Sequence, residues 1–240
     1  MLNRINKFGE VNSYDVFKNI AFFAMIVDHI GYYFLPQIFL FRVIGRISMV
    51  IFAVLYGYSF SKRNNNILLY GILTAVFVQF FVEHDFLPLN VLFAFYISSF
   101  FINIFEYVYN KYYSIFCLFL VMFIPAAFIS NVFVEYGISM LFLLLCGKIF
   151  KKENKTRKDV ITSILIFVIY ALYQTLNFGF NLFEFLFLML LLTIVYLYLF
   201  NLKIQKVDFN NKIMLFVSRY SLELYFMHLL IFSIMAKCLH

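Results

Sequence analysis

Charged side chains are scarce in this sequence, at 13% of 240 residues. Soluble domains carry about 25% charged and about 45–50% apolar residues. Here the apolar share is 65% and the mean hydropathy +0.92. Too few polar groups exist to cover an aqueous surface, which excludes a soluble globular domain. The chain has three prolines and no Pro-, Gly- or Ser-rich stretch, so no linker divides it, and a single domain over residues 1–240 is expected. The three cysteines, Cys117, Cys146 and Cys238, stand in or beside apolar runs and form no CxxC pair. They read as buried thiols, with no disulfide or metal site expected. The opening "MLNRINKFGEVNSYD" lacks an apolar core, so no cleavable signal peptide is expected and the first span serves as its own insertion signal. The short alternating segments of a membrane barrel are missing. So is a visible internal repeat, which weighs against an inverted-repeat transporter.

Long apolar runs are present instead. A spanning helix needs about 20 mostly apolar residues, with a range of about 17–25. Runs at 16–35, 38–60, 67–82, 86–105, 112–133, 136–150, 160–176, 182–200 and 213–236 approach that length, the third and sixth being short. The expected fold is therefore all-α, a polytopic integral membrane helix bundle of about nine spans in a lipid bilayer. Alternate loops are basic. Arg4, Lys7 and Lys18 precede span one, Lys62 and Arg63 follow span two, and Lys111 follows span four. Lys148, Lys151, Lys152, Lys155, Arg157 and Lys158 follow span six, and Lys203, Lys206 and Lys212 follow span eight. The opposite loops, "PQ", "EHD", "NVFVE" and "NFGFN", hold no lysine or arginine. By the positive-inside rule the N-terminus is cytoplasmic and the C-terminus outside. The net charge of +7 is thus mainly an orientation signal, and no nucleic-acid partner is expected.

A short set of ionisable residues remains inside the spans. Span one holds Asp28 and His29 in "FFAMIVDHIGYYF". Span two opens with Arg42 and Arg46, span eight holds Glu184 near its outer end, and span nine holds Arg219, Glu223 and His228. A charge at the bilayer centre costs about 2.5–3.5 kcal/mol on insertion scales, so such residues face the protein interior or a wet cavity and mark function by default. The expected orientation puts Asp28, His29, Arg42, Arg46 and His228 in the outer half of the membrane. Arg42 and Arg46 are four apart, share a helix face and repel, so an anion belongs against them, either Asp28 or a ligand. Arg219 and Glu223 are also four apart and read as a structural pair, and Glu184 reads as interfacial. Adjacent helical residues diverge by about 100°, so Asp28 is expected to pair with an arginine while His29 faces the cavity. Imidazole titrates near neutrality and moves protons. A lone membrane histidine also serves simply as an interhelical hydrogen-bonding group.

The stretches "NIAFFAMIVDHIGYYF" and "RVIGRISMVIFAVLYGYSF" resemble the TraX family of membrane acetylases, in which an Asp-His span end is followed by Gly-Arg. Three later segments fit in the same order: "LPLNVLF" at 87–93, "EYG" at 135–137 and "LELYFMHLLI" at 222–231. The chain departs from the family pattern at Val50, where a proline is usual, at Ala94 for threonine and at Glu135 for aspartate. More distantly, "MVIFAVLYGYSF" and "SRYSLELYFMHLLI" are similar to landmarks of the acyltransferase-3 superfamily. The resemblance implies a multi-pass protein of the bacterial cytoplasmic membrane. It implies transfer of acetyl from acetyl-CoA, as cosubstrate, to a pilin-like protein, a peptide N-terminus or an envelope glycan. In that reaction His29 is the expected general base, Arg46 and Arg42 stabilise an oxyanion or hold Asp28, Asn90 positions a carbonyl, and His228 completes the site. Two other classes use the same residues: a proton-coupled transporter or flippase, and a non-catalytic assembly factor whose buried charges only pair helices.

Overall fold

The computed structural model describes residues 11–83, 87–205, 207 and 211–239. His84, Phe86, Lys206 and His240, like Arg4 and Lys7, lie outside the described residues. The chain runs through α1 (Ser13–Tyr33), α2 (Phe39–Ser59), α3 (Asn65–Thr74, continued as a π-helix over Ala75–Glu83) and α4 (Val91–Lys111). Then follow α5 (Tyr113–Val121), α6 (Phe123–Asn131), α7 (Ser139–Lys151), α8 (Arg157–Phe178), α9 (Leu182–Phe200), α10 (Lys212–Arg219) and α11 (Ser221–Leu239). Helix occupies each of the nine apolar runs. Among the described residues five helices, α2, α4, α8, α9 and α11, are long and apolar enough to cross a membrane. The number is six if α5 and α6 form one bent span.

The departures from straight spans have local causes. Run 112–133 breaks at Met122 into α5 and α6, bent by 58°. Pro125 has no N–H to donate to Val121, and its ring crowds that carbonyl, so a helix cannot continue unbroken there. Run 213–236 breaks at Tyr220 into α10 and α11. Run 136–150 is short because α7 is a core helix. Its residues from Met140 through Phe150 are buried except Leu141 and Lys148. α7 lies directly on α2: a Cβ on Gly57 would collide with Leu144 O, and one on Gly147 with Val54 O. Without a hydrophobic drive between helices in lipid, such small residues let backbones approach and gain dispersion contact. By contrast α9, with Leu182, Phe183, Leu186, Leu190 and Leu197 exposed, presents an apolar outer face, as lipid contact requires.

Caps mark several helix starts. Asn12 with Asp15, Thr156 with Asp159, and Asn181 with Glu184 form capping boxes on α1, α8 and α9. Each box satisfies backbone N–H groups that a helix start leaves without partners. Glu184 is thereby accounted for as a helix-start residue. Asp15 is fully buried and also accepts from Ser218 Oγ at 2.6 Å, with Arg219 Nη1 at 3.5 Å, which ties α10 to α1.

Candidate active site

Residues Tyr14, Lys18, Met25, His29 and Tyr32 line one cavity. Their spacing of four, seven, four and three is that of a single helix face. The stretch from Tyr14 to Tyr33 rises roughly 28 Å at about 1.5 Å per residue, close to the roughly 30 Å of a hydrocarbon core. The cavity holds about 490 Å³ and follows this face of α1 from end to end. At one end it is walled by Tyr14, Lys18, Asn64 and Ser221, and at the other by Tyr33, Arg42, Tyr136 and Phe178.

The charged cluster occupies the second end. Asp28, on α1, sits between both arginines of α2. Arg46 Nη2 donates to Asp28 Oδ1 at 2.8 Å and Oδ2 at 2.6 Å, while Arg42 Nη1 reaches Oδ1 at 2.8 Å. Arg46 also donates from Nε to Arg42 O at 3.2 Å, and Tyr170 Oη donates to Arg46 O at 3.1 Å. Aromatic faces complete the shell, with Phe178 4.4 Å and Tyr136 5.5 Å from the Arg46 guanidinium carbon. Such stacking replaces part of the hydration that a buried guanidinium loses. Arg46 is held on most sides and is 3% exposed. The Arg42 side chain is 18% exposed and lines the cavity. Two guanidiniums against one carboxylate leave this cluster with one net positive charge.

Gly45 is why Asp28 fits. A Cβ there would overlap Asp28 Cβ and Cγ. Alanine normally gains about 1 kcal/mol over glycine inside a helix, but overpacking costs about 1–3 kcal/mol. We expect Gly45→Ala to lower the thermal midpoint and push the carboxylate off Arg46. Gly71→Ala, whose methyl meets Leu92 Cβ at 3.4 Å, is tolerated. Equal midpoints for the two variants in detergent would remove this account of Gly45.

His29 and His228 meet although they are 199 residues apart. His29 Nδ1 lies 2.9 Å from Met25 O and 3.0 Å from His228 Nε2, and His228 Nδ1 lies 2.9 Å from Leu224 O. Carbonyls only accept, so each ring is assigned the Nδ1–H tautomer. His29 Nδ1–H is then shared between Met25 O and the His228 Nε2 lone pair. His29 Nε2 keeps its own lone pair. His29 lines the cavity; His228 stands behind it, packed edge-on against Phe22, Tyr225 and Phe232.

Asn90 also lines the cavity but is already engaged. It caps α4 by accepting from Leu92 N at 3.2 Å, and its Nδ2 donates to Gly71 O at 2.9 Å and Gln79 Oε1 at 3.1 Å. Both amide protons are committed, so Asn90 is a strut between α3, the π-helix and α4. Sequence reasoning missed Tyr136, whose φ of +63° is an outlier for a bulky residue. That backbone conformation accompanies the ring's place beside Arg46. Its neighbour Glu135 accepts from Val91 N at 3.1 Å, and Glu135 N donates to Leu89 O at 2.8 Å. The "EYG" and "LPLNVLF" segments thus meet in space. Gln174 and Asn177, also missed, line the cavity from α8; their signal was a pair of amides in and just after an apolar run.

The described family model "TraX protein" matches residues 13–236, which include every residue of this site. The chain is also similar to the uncharacterized protein RP591 of Rickettsia prowazekii (strain Madrid E), at 30% identity over 181 residues, covering 74% of this chain and 72% of the relative. No solved structure matches.

Proposed function

Since the chain belongs to the TraX family, we propose that it is a multi-pass acetyltransferase of the bacterial cytoplasmic membrane. It moves acetyl from acetyl-CoA to an extracytoplasmic or membrane-proximal acceptor, a pilin-like protein, a peptide N-terminus or an envelope glycan. The observation that carries this reading is the free Nε2 of His29 in the wall of a cavity that also holds Arg42. A base and a cation beside one space are what acyl transfer needs.

The cavity's length accommodates an extended thioester arm entering from the Lys18 end, with the basic inner loops beside its phosphates. His29 takes a proton at Nε2 from the acceptor amine or hydroxyl as that atom bonds to the thioester carbonyl carbon. Arg42 faces the carbonyl oxygen as it gains negative charge. Arg46, saturated by Asp28, holds Arg42 and Asp28 in place. When the carbon–sulfur bond breaks, His29 returns the proton to the departing sulfur, giving the acetylated acceptor and the free thiol. His228 fixes the His29 ring throughout.

The test is acetyl-CoA binding and slow thioester hydrolysis by the detergent-purified protein. Saturable binding with turnover supports the transferase. A folded wild type that binds no acetyl-CoA overturns it and directs attention to proton-coupled flux through the same residues.

A further inference from the structure

Tyr170, Gln174 and Phe178 are four apart and share a face of α8. The two outer members both touch the arginine cluster: Tyr170 Oη donates to Arg46 O, and the Phe178 ring lies 4.4 Å from Arg46 and 5.4 Å from Arg42. Gln174 falls between them and lines the same cavity as His29. It is 1% exposed, yet its Oε1 has no hydrogen-bond partner. Tyr173, also 1% exposed and cavity-lining, has an unpartnered Oη. Leaving buried polar atoms unpaired is costly, and each such atom calls for an explanation. Two on consecutive residues of one cavity wall point to a ligand.

The atom types state its chemistry. With the Gln174 amide assigned as placed, its Oε1 accepts, while Tyr173 Oη can donate. Consecutive helical side chains diverge by about 100°, so one hydroxyl oxygen is poorly placed to reach both. A secondary amide is well placed, because its N–H and C=O point in opposite directions. We propose that Tyr173 and Gln174 form a subsite for a secondary amide, whose N–H donates to Gln174 Oε1 and whose oxygen accepts from Tyr173 Oη. Resting on the transferase reading, two ligands bring such a group: the pantetheine arm of the thioester and the backbone of a peptide acceptor. The subsite makes Gln174 a determinant of substrate preference.

The experiment compares kcat/KM for paired substrates in wild type, Gln174→Leu and Tyr173→Phe. The donor pair is S-acetyl-N-acetylcysteamine, which has a secondary amide, and S-butyl thioacetate, which has none. The acceptor pair is a short peptide and its depsipeptide with an ester at the first linkage, both with acetyl-CoA. We expect the preference for the amide-bearing member of one pair to fall about tenfold in Gln174→Leu, the loss of roughly one hydrogen bond. Tyr173→Phe lowers the donor-pair preference several-fold, but slows peptide and depsipeptide alike, because the ester keeps the carbonyl that Tyr173 serves. A fall in the donor pair assigns the subsite to the pantetheine arm; a fall in the acceptor pair assigns it to the peptide. Tyr173→Phe removes one oxygen and keeps the test readable if Gln174→Leu misfolds: a lower donor-pair preference marks the pantetheine arm, and an equal fall in kcat/KM for peptide and depsipeptide with the donor pair unchanged marks the acceptor. Unchanged preferences in both pairs in Gln174→Leu, or unchanged kcat/KM in Tyr173→Phe, with wild-type turnover intact, overturn the subsite alone. A wild type that turns over no thioester overturns the transferase reading and the subsite with it.

Discussion

His29→Ala is expected to lower acetyl transfer by a factor on the order of 10²–10⁴, the usual contribution of a positioned general base. Acetyl-CoA binding should change little, because the ring presents one nitrogen to the cavity and the cations of the wall are Lys18 at one end and Arg42 and Arg46 at the other. His228 should behave differently. It makes no cavity wall and touches His29 through Nε2 at 3.0 Å. His228→Ala removes the acceptor that shares the His29 Nδ1–H, and it opens space beside the ring. A loss of about tenfold is expected, in keeping with the cost of a lost orienting hydrogen bond. His228→Gln retains a carbonyl oxygen able to accept that proton and should recover part of the loss, whereas His228→Phe should not. Residues that act as one unit are non-additive, so the double variant should be no slower than His29→Ala alone. Single-turnover rates on the five variants and wild type decide the matter. Wild-type rates in His29→Ala would end its assignment as base, and a recovery by His228→Phe equal to that by His228→Gln would make His228 a packing residue only.

How much of this was legible in the sequence varies by element. Apolar length and periodicity identified helical runs, because lipid forces backbone polar groups to pair within the helix. Length alone did not separate a lipid-facing span from α7, whose thirteen residues are mostly buried. Nor did it place the break at Tyr220. Asp28 between Arg42 and Arg46 was within reach, since like charges four apart demand an anion and depth limited the candidates. The contact of His29 with His228 was not: compatible depth leaves rotation about two helices free, and only packing fixes it. Asn90 was assigned to substrate although it carried an alternative signal, an asparagine two residues after Pro88 near the start of run 86–105, where a side chain can cap a helix. Tyr136 and Gln174 escaped notice because uncharged polar residues do not stand out by insertion cost.

Asp28 carries the second large effect, and it separates stability from chemistry. Asp28 is 7% exposed and its carboxylate accepts from two guanidiniums. Removing one partner of a buried ion pair costs about 3–5 kcal/mol, because the remaining charge stays buried without compensation. Asp28→Leu leaves Arg46, 3% exposed, in that condition, with Arg42 repelling it from the next turn of α2. A large fall in the thermal midpoint and loss of turnover are both expected. Buried pairs replaced whole by apolar residues of similar volume are often neutral or better. Asp28→Leu with Arg46→Met should therefore regain most of the midpoint, with Arg42 still hydrated from the cavity. It should not regain turnover, because nothing then anchors Arg42 at the reacting carbonyl. The single and double variants are compared by thermal unfolding in one detergent and by acetyl-CoA hydrolysis. A double variant that recovered both would reduce the cluster to a helix clamp, and Arg42 would need another reason to line the cavity. A double variant no more stable than Asp28→Leu would mean that Arg46 is held chiefly by Arg42 O and the Phe178 face, and that the carboxylate exists for the reaction.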